Sequence, residues 1–409
     1  MMRWESGIRL AAAGLVLGIS FGAEARSQGS GDDGRPVIAA YYFPNYHAGD
    51  PRNERDRGPG WSEWDLVKAA KPRFEGHAQP KVPAWGHTDE SDPKVMAQKI
   101  DAAADHGVDA FIFDWYYYDD GPFLDRGLDR GYLRAANNRR VKFALMWANH
   151  DWIDIFPRTL KHAPKLMYPG KIRPETWDKL TDYVIEKYFR HPSHWKIDGR
   201  PYFSIYELHT FAASFGSGAA AKAALEKFRD KTKAAGFPGL HLDIVMWGNP
   251  ILPGETAVKK PADAVRFMGF DSVGSYVWVH HSGIRGFPSG AYADLQKAYF
   301  NYARQAMTMY GVPYYPNVSM GWDASPRTKQ DDPFENKGYP FMAVLTGNTP
   351  AAFEAALREA KALLETRPAA ERVLTVNSWN EWTEGSYLEP DTVNGTKYLE
   401  AIRSVFGTR

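Results

Sequence analysis

The stretch DPKVMAQKIDAAADHGVDAFIFDW, residues 92–115, predicts one α-helix followed directly by one β-strand. Asp92 is a typical N-cap residue, and Pro93 suits the first helical position. Apolar residues then recur at helical spacing until Gly107, where a helix is expected to end. The run from 108 to 115 is apolar and aromatic, which indicates a buried strand.

The same alternation of apolar runs and amphipathic patterns continues along the chain. The eight predicted strands are residues 37–43, 108–115, 142–148, 201–206, 241–247, 271–278, 314–322 and 373–379. Further helical patterns cover residues 175–189, 219–235, 291–310, 349–364 and 398–406. Eight strands with intervening helices predict an α/β fold, a single (β/α)8 TIM barrel with long βα loops at its C-terminal face. An open doubly wound sheet is the alternative, but no glycine-rich phosphate turn follows the first strand.

The composition excludes several classes of function. The 409 residues include 50 Lys and Arg against 49 Asp and Glu, so no basic surface for nucleic acid is expected. The absence of cysteine excludes disulfides, thiolate metal sites and cysteine nucleophiles. Aromatic residues make up 14% of the chain, more than a core alone needs, which favours surfaces that stack on flat ligand faces.

The N-terminal residues predict an export signal. Two arginines lie within residues 1–9, residues 10–22 form an apolar run, and Ala23-Glu24-Ala25 matches a signal-peptidase site. We therefore expect a signal peptide over residues 1–25, a linker over 26–36 and one catalytic domain over 37–409. The mature protein is expected to be secreted or periplasmic, with no membrane span after cleavage. An uncleaved anchor is the alternative.

Every predicted strand ends at an aromatic residue, usually with a carboxylate or amide nearby. This end of the strands carries the chemistry in TIM barrels. Aromatic faces combined with hydrogen-bonding groups suit a sugar, which has an apolar face and a polar rim. The candidate substrate-binding residues at these ends are Tyr42, His47, Asp114, Trp115, Tyr116, Trp147, Asn149, Tyr206, Trp247, Tyr276, Trp322, Asn380 and Trp382. A barrel plugged by core aromatics is the alternative, although barrel interiors favour branched aliphatic residues.

Glu381 and Glu384 are the candidate catalytic residues, three positions apart after the last strand. On a helical turn their Cβ atoms would lie about 5–6 Å apart. In a dry cleft such a pair separates its pKa values, so that one carboxyl is protonated and the other ionised. Glycoside hydrolysis needs this division, and a carboxyl separation of about 5–5.5 Å goes with retention. Asp114, Glu207 and Asp323 are alternatives for the second carboxylate.

Residues 45–91 show no clear secondary-structure pattern but are rich in aromatic residues. Because disordered segments are poor in aromatics, we expect an ordered flap over the barrel mouth. It adds Trp61, Glu63 and His77 as candidate substrate-binding residues, and Glu389 is a further candidate after the last strand. No metal-site spacing connects the histidines, so no metal or cofactor is expected. The expected partner is a polysaccharide or oligosaccharide substrate.

Taken together, these motifs resemble the WbsX-like proteins, which are related to glycoside hydrolase family 99. The resemblance covers nearly all of the mature chain and rests on the order of YYFP at 41–44, GWSEW at 60–64, HAQP at 77–80 and NEWTEG at 380–385. It implies a (β/α)8 glycoside hydrolase-like domain over residues 37–409. Family 99 members are retaining endo-acting α-mannosidases and mannanases.

The resemblance also implies roles for the two glutamates. It makes Glu384 the general acid/base and Glu381 the base that assists the sugar's own 2-hydroxyl, through an epoxide-like intermediate. Thr383 stands where family 99 usually has histidine, which bears on the sugar bound beside it. The predicted activity is hydrolysis of an α-linked polysaccharide or glycan with retention. The alternatives are a WbsX-type glycosyltransferase or transglycosylase in polysaccharide biosynthesis and a non-catalytic glycan-binding barrel.

Overall fold

A computed structural model describes residues 34–409. The predicted signal peptide and residues 26–33 of the predicted linker lie outside the described residues. Within the described part, no helix is both long and apolar enough to cross a membrane.

The centre of the molecule is a parallel β-barrel. Its strands are β1 (Val37–Tyr42), β2 (Ala110–Tyr118), β3 (Lys142–Trp147), β4 (Arg200–Ile205), β5 (His241–Val245), β6 (Ser272–Gly274), β7 (Tyr314–Tyr315), β8 (Asn317–Ser319) and β9 (Val373–Asn377). Neighbouring strands follow the order β7-β6-β5-β4-β3-β2-β1-β9-β8, and every adjacent pair is parallel. The first and last strands of this order are consecutive in the chain, so the sheet returns to itself. The predicted TIM barrel is confirmed.

Pro316 divides the seventh predicted strand into two short strands. Proline has no N–H to donate to a sheet, so it interrupts the ladder. Before it, Tyr314–Tyr315 pairs with β6; after it, Asn317–Ser319 pairs with β9. Two predicted strands also end earlier than expected. The seventh, 314–322, ends at Ser319, and the sixth, 271–278, ends at Gly274.

The helices surround the barrel. In the described chain they are α1 (Pro51–Arg57), α2 (Trp64–Ala69), α3 (Pro93–Asp105), α4 (Pro174–Val184), α5 (Leu208–Ser214), α6 (Gly218–Ala234), α7 (Pro261–Met268), α8 (Tyr292–Met309), α9 (Pro350–Glu365) and α10 (Lys397–Phe406). Asp92 caps α3 as expected, because its carboxylate accepts the Lys94 N–H at 2.8 Å. The pattern over 175–189 corresponds to α4 followed by a π-helical turn.

The segment 45–91 is ordered but carries more secondary structure than its sequence indicates. It contains α1 and α2, each only two turns or less. Such short helices show too few periods to be recognised from apolar spacing. The carboxylate of Asp50 caps α1 by accepting the N–H groups of Arg52 and Asn53.

Candidate active site

The two candidate catalytic glutamates lie on a tight hairpin after β9. Asn380–Glu381 pairs antiparallel with Ser386–Tyr387, and the residues between them form one 3₁₀ turn. Gly385 closes this turn with a φ of 62°. A Cβ atom there would lie 2.7 Å from the Cβ of Asp323, so only glycine fits. The turn directs both glutamates into one cavity at the C-terminal end of the barrel.

Arg327 joins the two glutamates, although no motif in the sequence predicts this role. Its guanidinium donates to Glu384 Oε1 at 2.6 Å, to Glu381 Oε2 at 3.1 Å and to Glu63 Oε1 at 3.0 Å. The hydroxyl of Tyr339 donates to the same Glu384 oxygen at 2.7 Å. Among the described residues, none donates a hydrogen bond to the second oxygen of Glu381 or Glu384. Each glutamate therefore keeps one carboxyl oxygen free for a ligand.

The electrostatics of this cluster favour a shared proton. Burial raises the pKa of Glu381 well above its usual value and also raises the pKa of Glu384, while Arg327 opposes both shifts. One guanidinium faces three buried carboxylates, so it cannot balance them all when they are ionised. In the absence of substrate, charge is better stabilised on Glu384, which accepts two hydrogen bonds, than on Glu381, which accepts one. The pair can supply one acid and one base.

A third carboxyl lies on the wall of the same cavity. Asp114 is buried, and its Oδ2 accepts the hydroxyl of Tyr276 at 2.8 Å. Its Oδ1 has no hydrogen-bond partner among the described residues. Burial raises the pKa of Asp114 well above its usual value. A neutral carboxyl at this position can both donate to and accept from a sugar hydroxyl.

Seven of the candidate residues from the sequence line this cavity together: Asp114, Tyr116, Tyr206, Tyr276, Trp322, Glu381 and Glu384. Their neighbours in the strands face the other way, because successive side chains of a strand point to opposite sides. Asp114 and Tyr116 line the cavity, whereas Trp115 packs outward beside Tyr183 and Tyr188.

The other aromatic candidates at the strand ends are core residues. Trp147 packs on Trp177 of the helical layer, with ring centroids 5.3 Å apart. The indole N–H of Trp382 donates to Glu389 at 2.7 Å. Trp247 stacks on His280 with centroids 4.9 Å apart, which places it behind the wall of the cavity. We expected the aromatic residues at the strand ends to bind substrate rather than fill the core. At these positions that expectation is wrong, because the side chains belong to the core.

Several polar candidates fix the backbone around the cavity. Asn380 exchanges two hydrogen bonds of 2.8 Å with the main chain of Phe43, which ties the hairpin of the two glutamates to the end of β1. Asn149 makes the same double contact with the main chain of Glu207, again at 2.8 Å. The Tyr42 hydroxyl donates to the buried Glu90 at 2.9 Å.

The segment 45–91, which is described in full, contributes no residue to the cavity wall. The expected flap over the mouth is therefore corrected to a support behind the carboxylates. Glu63 accepts from Arg327 and from the hydroxyl of Thr383. His77 contacts the carboxylate of Asp323 at 2.8 Å.

Two further candidates, Trp61 and His47, do not line the cavity. Trp61 is partly buried beside Arg57, and the ring of His47 contacts the carbonyl of Ala48. Across residues 34–409, no group of three or more His, Cys, Asp or Glu side chains is arranged to hold a metal ion.

Comparison with known proteins places the chain in a family. A family model described as Glycosyltransferase WbsX matches residues 38–402. The uncharacterized protein WxcX of two strains of Xanthomonas campestris pv. campestris is 26% identical over 369 residues, which are 90% of this chain and 49% of WxcX. The chain thus spans about half the length of these curated relatives.

Solved structures share the fold. The family 99 endo-α-mannosidase from Bacteroides thetaiotaomicron has a TM-score of 0.54 at 14% identity, over 90% of this chain and 96% of that one. A glycoside hydrolase-like protein has a TM-score of 0.57 at 14% identity, over 92% and 95%. These two likenesses show that the fold is shared. Because the family model spans nearly the whole described chain, the protein belongs to the WbsX glycosyltransferase family.

Proposed function

We propose that this protein is a secreted glycoside hydrolase that cleaves an α-linked polysaccharide or glycan with retention. One observation carries the proposal. Two buried glutamates face one cavity, share one arginine and each keep a free carboxyl oxygen. The fold of the family 99 endo-α-mannosidase from Bacteroides thetaiotaomicron supports it, and the N-terminal sequence pattern supports export.

The proposed reaction has two steps. In the first, Glu384 donates a proton to the glycosidic oxygen, and Glu381 removes the proton from the sugar 2-hydroxyl. The 2-oxygen bonds to the anomeric carbon as the bond to the leaving group breaks. In the second, Glu384 takes a proton from water, and the water oxygen bonds to the anomeric carbon as the bond between that carbon and the 2-oxygen breaks. Glu381 returns its proton to the released 2-oxygen. Two inversions at the anomeric carbon give net retention.

Substrate binding helps to set the protonation states that this reaction needs. Without substrate, the hydrogen bonds from Arg327 and Tyr339 favour charge on Glu384. A sugar 2-hydroxyl that donates to Glu381 favours charge on that residue instead. Because the two carboxyls share a proton, charge on Glu381 moves the proton to Glu384, where the acid is required.

Substrates with different leaving groups test the two roles separately. Glu384→Gln is expected to lose about 10²–10⁴-fold in turnover of natural glycan. It should still release a burst of phenol from an aryl glycoside whose leaving group needs no proton, because Glu384 is then required only for the attack of water in the second step. Glu381→Gln should lose both activities, and the exposed Glu226→Gln is the matched control. The reverse pattern would exchange the roles, and full activity of both variants on natural glycan would overturn the proposal.

Glycosyl transfer is a second candidate, because the family itself is described as a glycosyltransferase family. The same carboxylates serve transfer if a sugar hydroxyl replaces water in the second step. Hydrolysis and transfer can be distinguished by incubating the protein with a glycan that it cleaves and an added sugar acceptor. Hydrolysis releases new reducing ends, whereas transfer lengthens the acceptor. A non-catalytic glycan-binding protein would neither release reducing ends nor lengthen the acceptor. Its Glu384→Gln variant would bind glycan as well as the wild type does.

A further inference from the structure

Two loops give the active-site cavity an apolar wall. The loop after β3 lines the cavity first with His150, Asp151 and Trp152 and then with Ile153, Ile155 and Phe156. The loop after β5 contributes Ile251 and Leu252. No hydrogen bond can be donated or accepted by the five side chains of Ile153, Ile155, Phe156, Ile251 and Leu252. We call this set the apolar wall. It contrasts with the carboxyl and phenol groups that the strand ends provide.

The apolar wall is built into the fold on the β3 side. Trp152–Ile153 pairs with Leu166–Tyr168 as a short antiparallel ladder. The ring of Phe156 stacks on Trp152 with centroids 4.9 Å apart. The same ring lies 5.1 Å from the guanidinium of Arg327. The wall therefore reaches the group that joins the two catalytic glutamates.

The β5 side of the wall is held by a buried carboxylate. Glu255 accepts the main-chain N–H groups of Ile251 and Leu252 at 2.6 and 2.9 Å. Its other oxygen accepts the hydroxyl of Tyr206, which lines the cavity, at 2.6 Å. Hydrogen bonds within their own loop thus position the side chains of Ile251 and Leu252.

This wall constrains the sugar that lies beside the glutamates. A hydroxyl group pressed against aliphatic side chains loses its hydrogen bonds to water and gains none, whereas a methyl group gains from burial. Common hexoses carry a hydroxymethyl group on C5, and 6-deoxyhexoses carry a methyl group there. An acylated sugar would bring a carbonyl oxygen, for which the five side chains provide no donor.

We propose that the sugar held beside Glu381 and Glu384 is a 6-deoxyhexose whose C5 methyl group contacts the apolar wall. This inference rests on the proposed function for the position of the reacting sugar, and it adds the substrate class.

Matched pairs of sugars test it. The probes are methyl α-glycosides of the D-manno, L-manno and D-talo series, in which the 2-oxygen lies opposite the leaving group as the proposed reaction requires. Each is paired with the 6-deoxy sugar that lacks only the oxygen on C6. They are titrated calorimetrically into Glu384→Gln. In a series that binds, the 6-deoxy member is expected to bind about tenfold more tightly, the usual discrimination by an apolar pocket. Equal binding, tighter binding of the hydroxymethyl member or no binding in any series at millimolar concentration would overturn the proposal.

A variant of the wall provides a second test. Ile251→Asn, made in the Glu384→Gln background, adds a hydrogen-bonding side chain and should bring the preference close to parity. Ile284→Asn is the matched control, because Ile284 is also a partly buried loop residue but does not line the cavity. An unchanged preference in Ile251→Asn would contradict the assignment of the methyl group to this wall.

The two proposals fail in different ways, because binding requires no turnover. A 6-deoxy preference without cleavage of any 6-deoxyhexose glycan overturns hydrolysis and leaves the ligand class in place. Cleavage of glycans by the wild type without a 6-deoxy preference overturns only the ligand class.

Discussion

Replacing Arg327 with methionine removes the cation that contacts three buried carboxylates. The guanidinium lies 2.6 to 3.1 Å from Glu63, Glu381 and Glu384 and is only 5% exposed. Methionine fills much of the same volume without charge. The substitution therefore leaves the cluster with one additional uncompensated negative charge, which it can lose only by binding a proton.

The cost of that proton depends on pH. The usual pKa of a glutamate is 4.5. At pH 7.5, three units higher, protonation costs about 4 kcal/mol at about 1.4 kcal/mol per unit. At pH 5.0 the same proton costs less than about 1 kcal/mol. The larger figure agrees with the roughly 3–5 kcal/mol lost when a buried ion pair is broken.

The sign follows from the direction of the pKa change. Without the arginine, the folded-state pKa of the cluster rises further above the unfolded value. The folded state then binds more protons than the unfolded state, so the variant loses stability relative to the wild type as pH rises. We expect Arg327→Met to lower the free energy of unfolding by about 4 kcal/mol at pH 7.5 and by about 1 kcal/mol at pH 5.0.

Denaturant unfolding followed by tryptophan fluorescence measures this difference at both pH values. Arg304→Met is the control, because Arg304 forms an exposed pair with Glu359, and its loss should cost less than about 1 kcal/mol at either pH. A variant within 1 kcal/mol of wild type at pH 7.5, or one equally destabilised at both pH values, would refute the reasoning.

Three further substitutions test other parts of the molecule. Lys99 is buried, and its ammonium group lies 2.7 Å from the carboxylate of Glu389 and 3.5 Å from that of Glu90. Lys99→Met is therefore expected to lower the free energy of unfolding by about 3–5 kcal/mol in the same assay. Burial raises the pKa of Glu207 to about 7, which gives stability that is full below pH 4.5 and is lost as pH rises through 7. Glu207→Gln should remove about 3 kcal/mol of that pH dependence, measured by unfolding from pH 4 to 8. Gly385→Ala adds a steric clash at a residue whose φ is already positive, so it should reduce both glycan turnover and melting temperature. Gly395→Ala is the control and should have a smaller effect, because Gly395 has a φ of 56° but open space around it.

The barrel could be predicted from the sequence because its strands are continuous apolar runs. Where the structure departs from the prediction, the reason is local. Pro316 removes one N–H from the seventh strand and divides it, a signal that was present in the sequence. The helix α2 is six residues long, too short to show a helical period.

The site could be predicted only in part. Glu381 and Glu384 are close in sequence and follow a predicted strand, which is why their shared position on the cavity wall was foreseeable. Arg327 and Tyr339 reach Glu384 from 57 and 45 residues away, on a segment where the sequence predicts no strand or motif. Only the three-dimensional course of the chain between β8 and α9 brings them there.

Strand alternation is a signal that the sequence offered. Asp114 and Tyr116 share one face of β2, and Trp115 lies on the other. The period of two along a strand would have separated cavity residues from core aromatics at this position.

We propose that Glu381 and Glu384 cleave a glycosidic bond. The most direct test incubates wild type, Glu384→Gln and the control Glu226→Gln with a panel of α-linked bacterial, fungal and plant polysaccharides, scoring new reducing ends and binding together. We predict reducing ends from the wild type and the control, and at least about a hundredfold fewer from Glu384→Gln, which still binds the glycan. Equal release by Glu384→Gln, or a glycan that all three proteins bind and none cleaves, would contradict it.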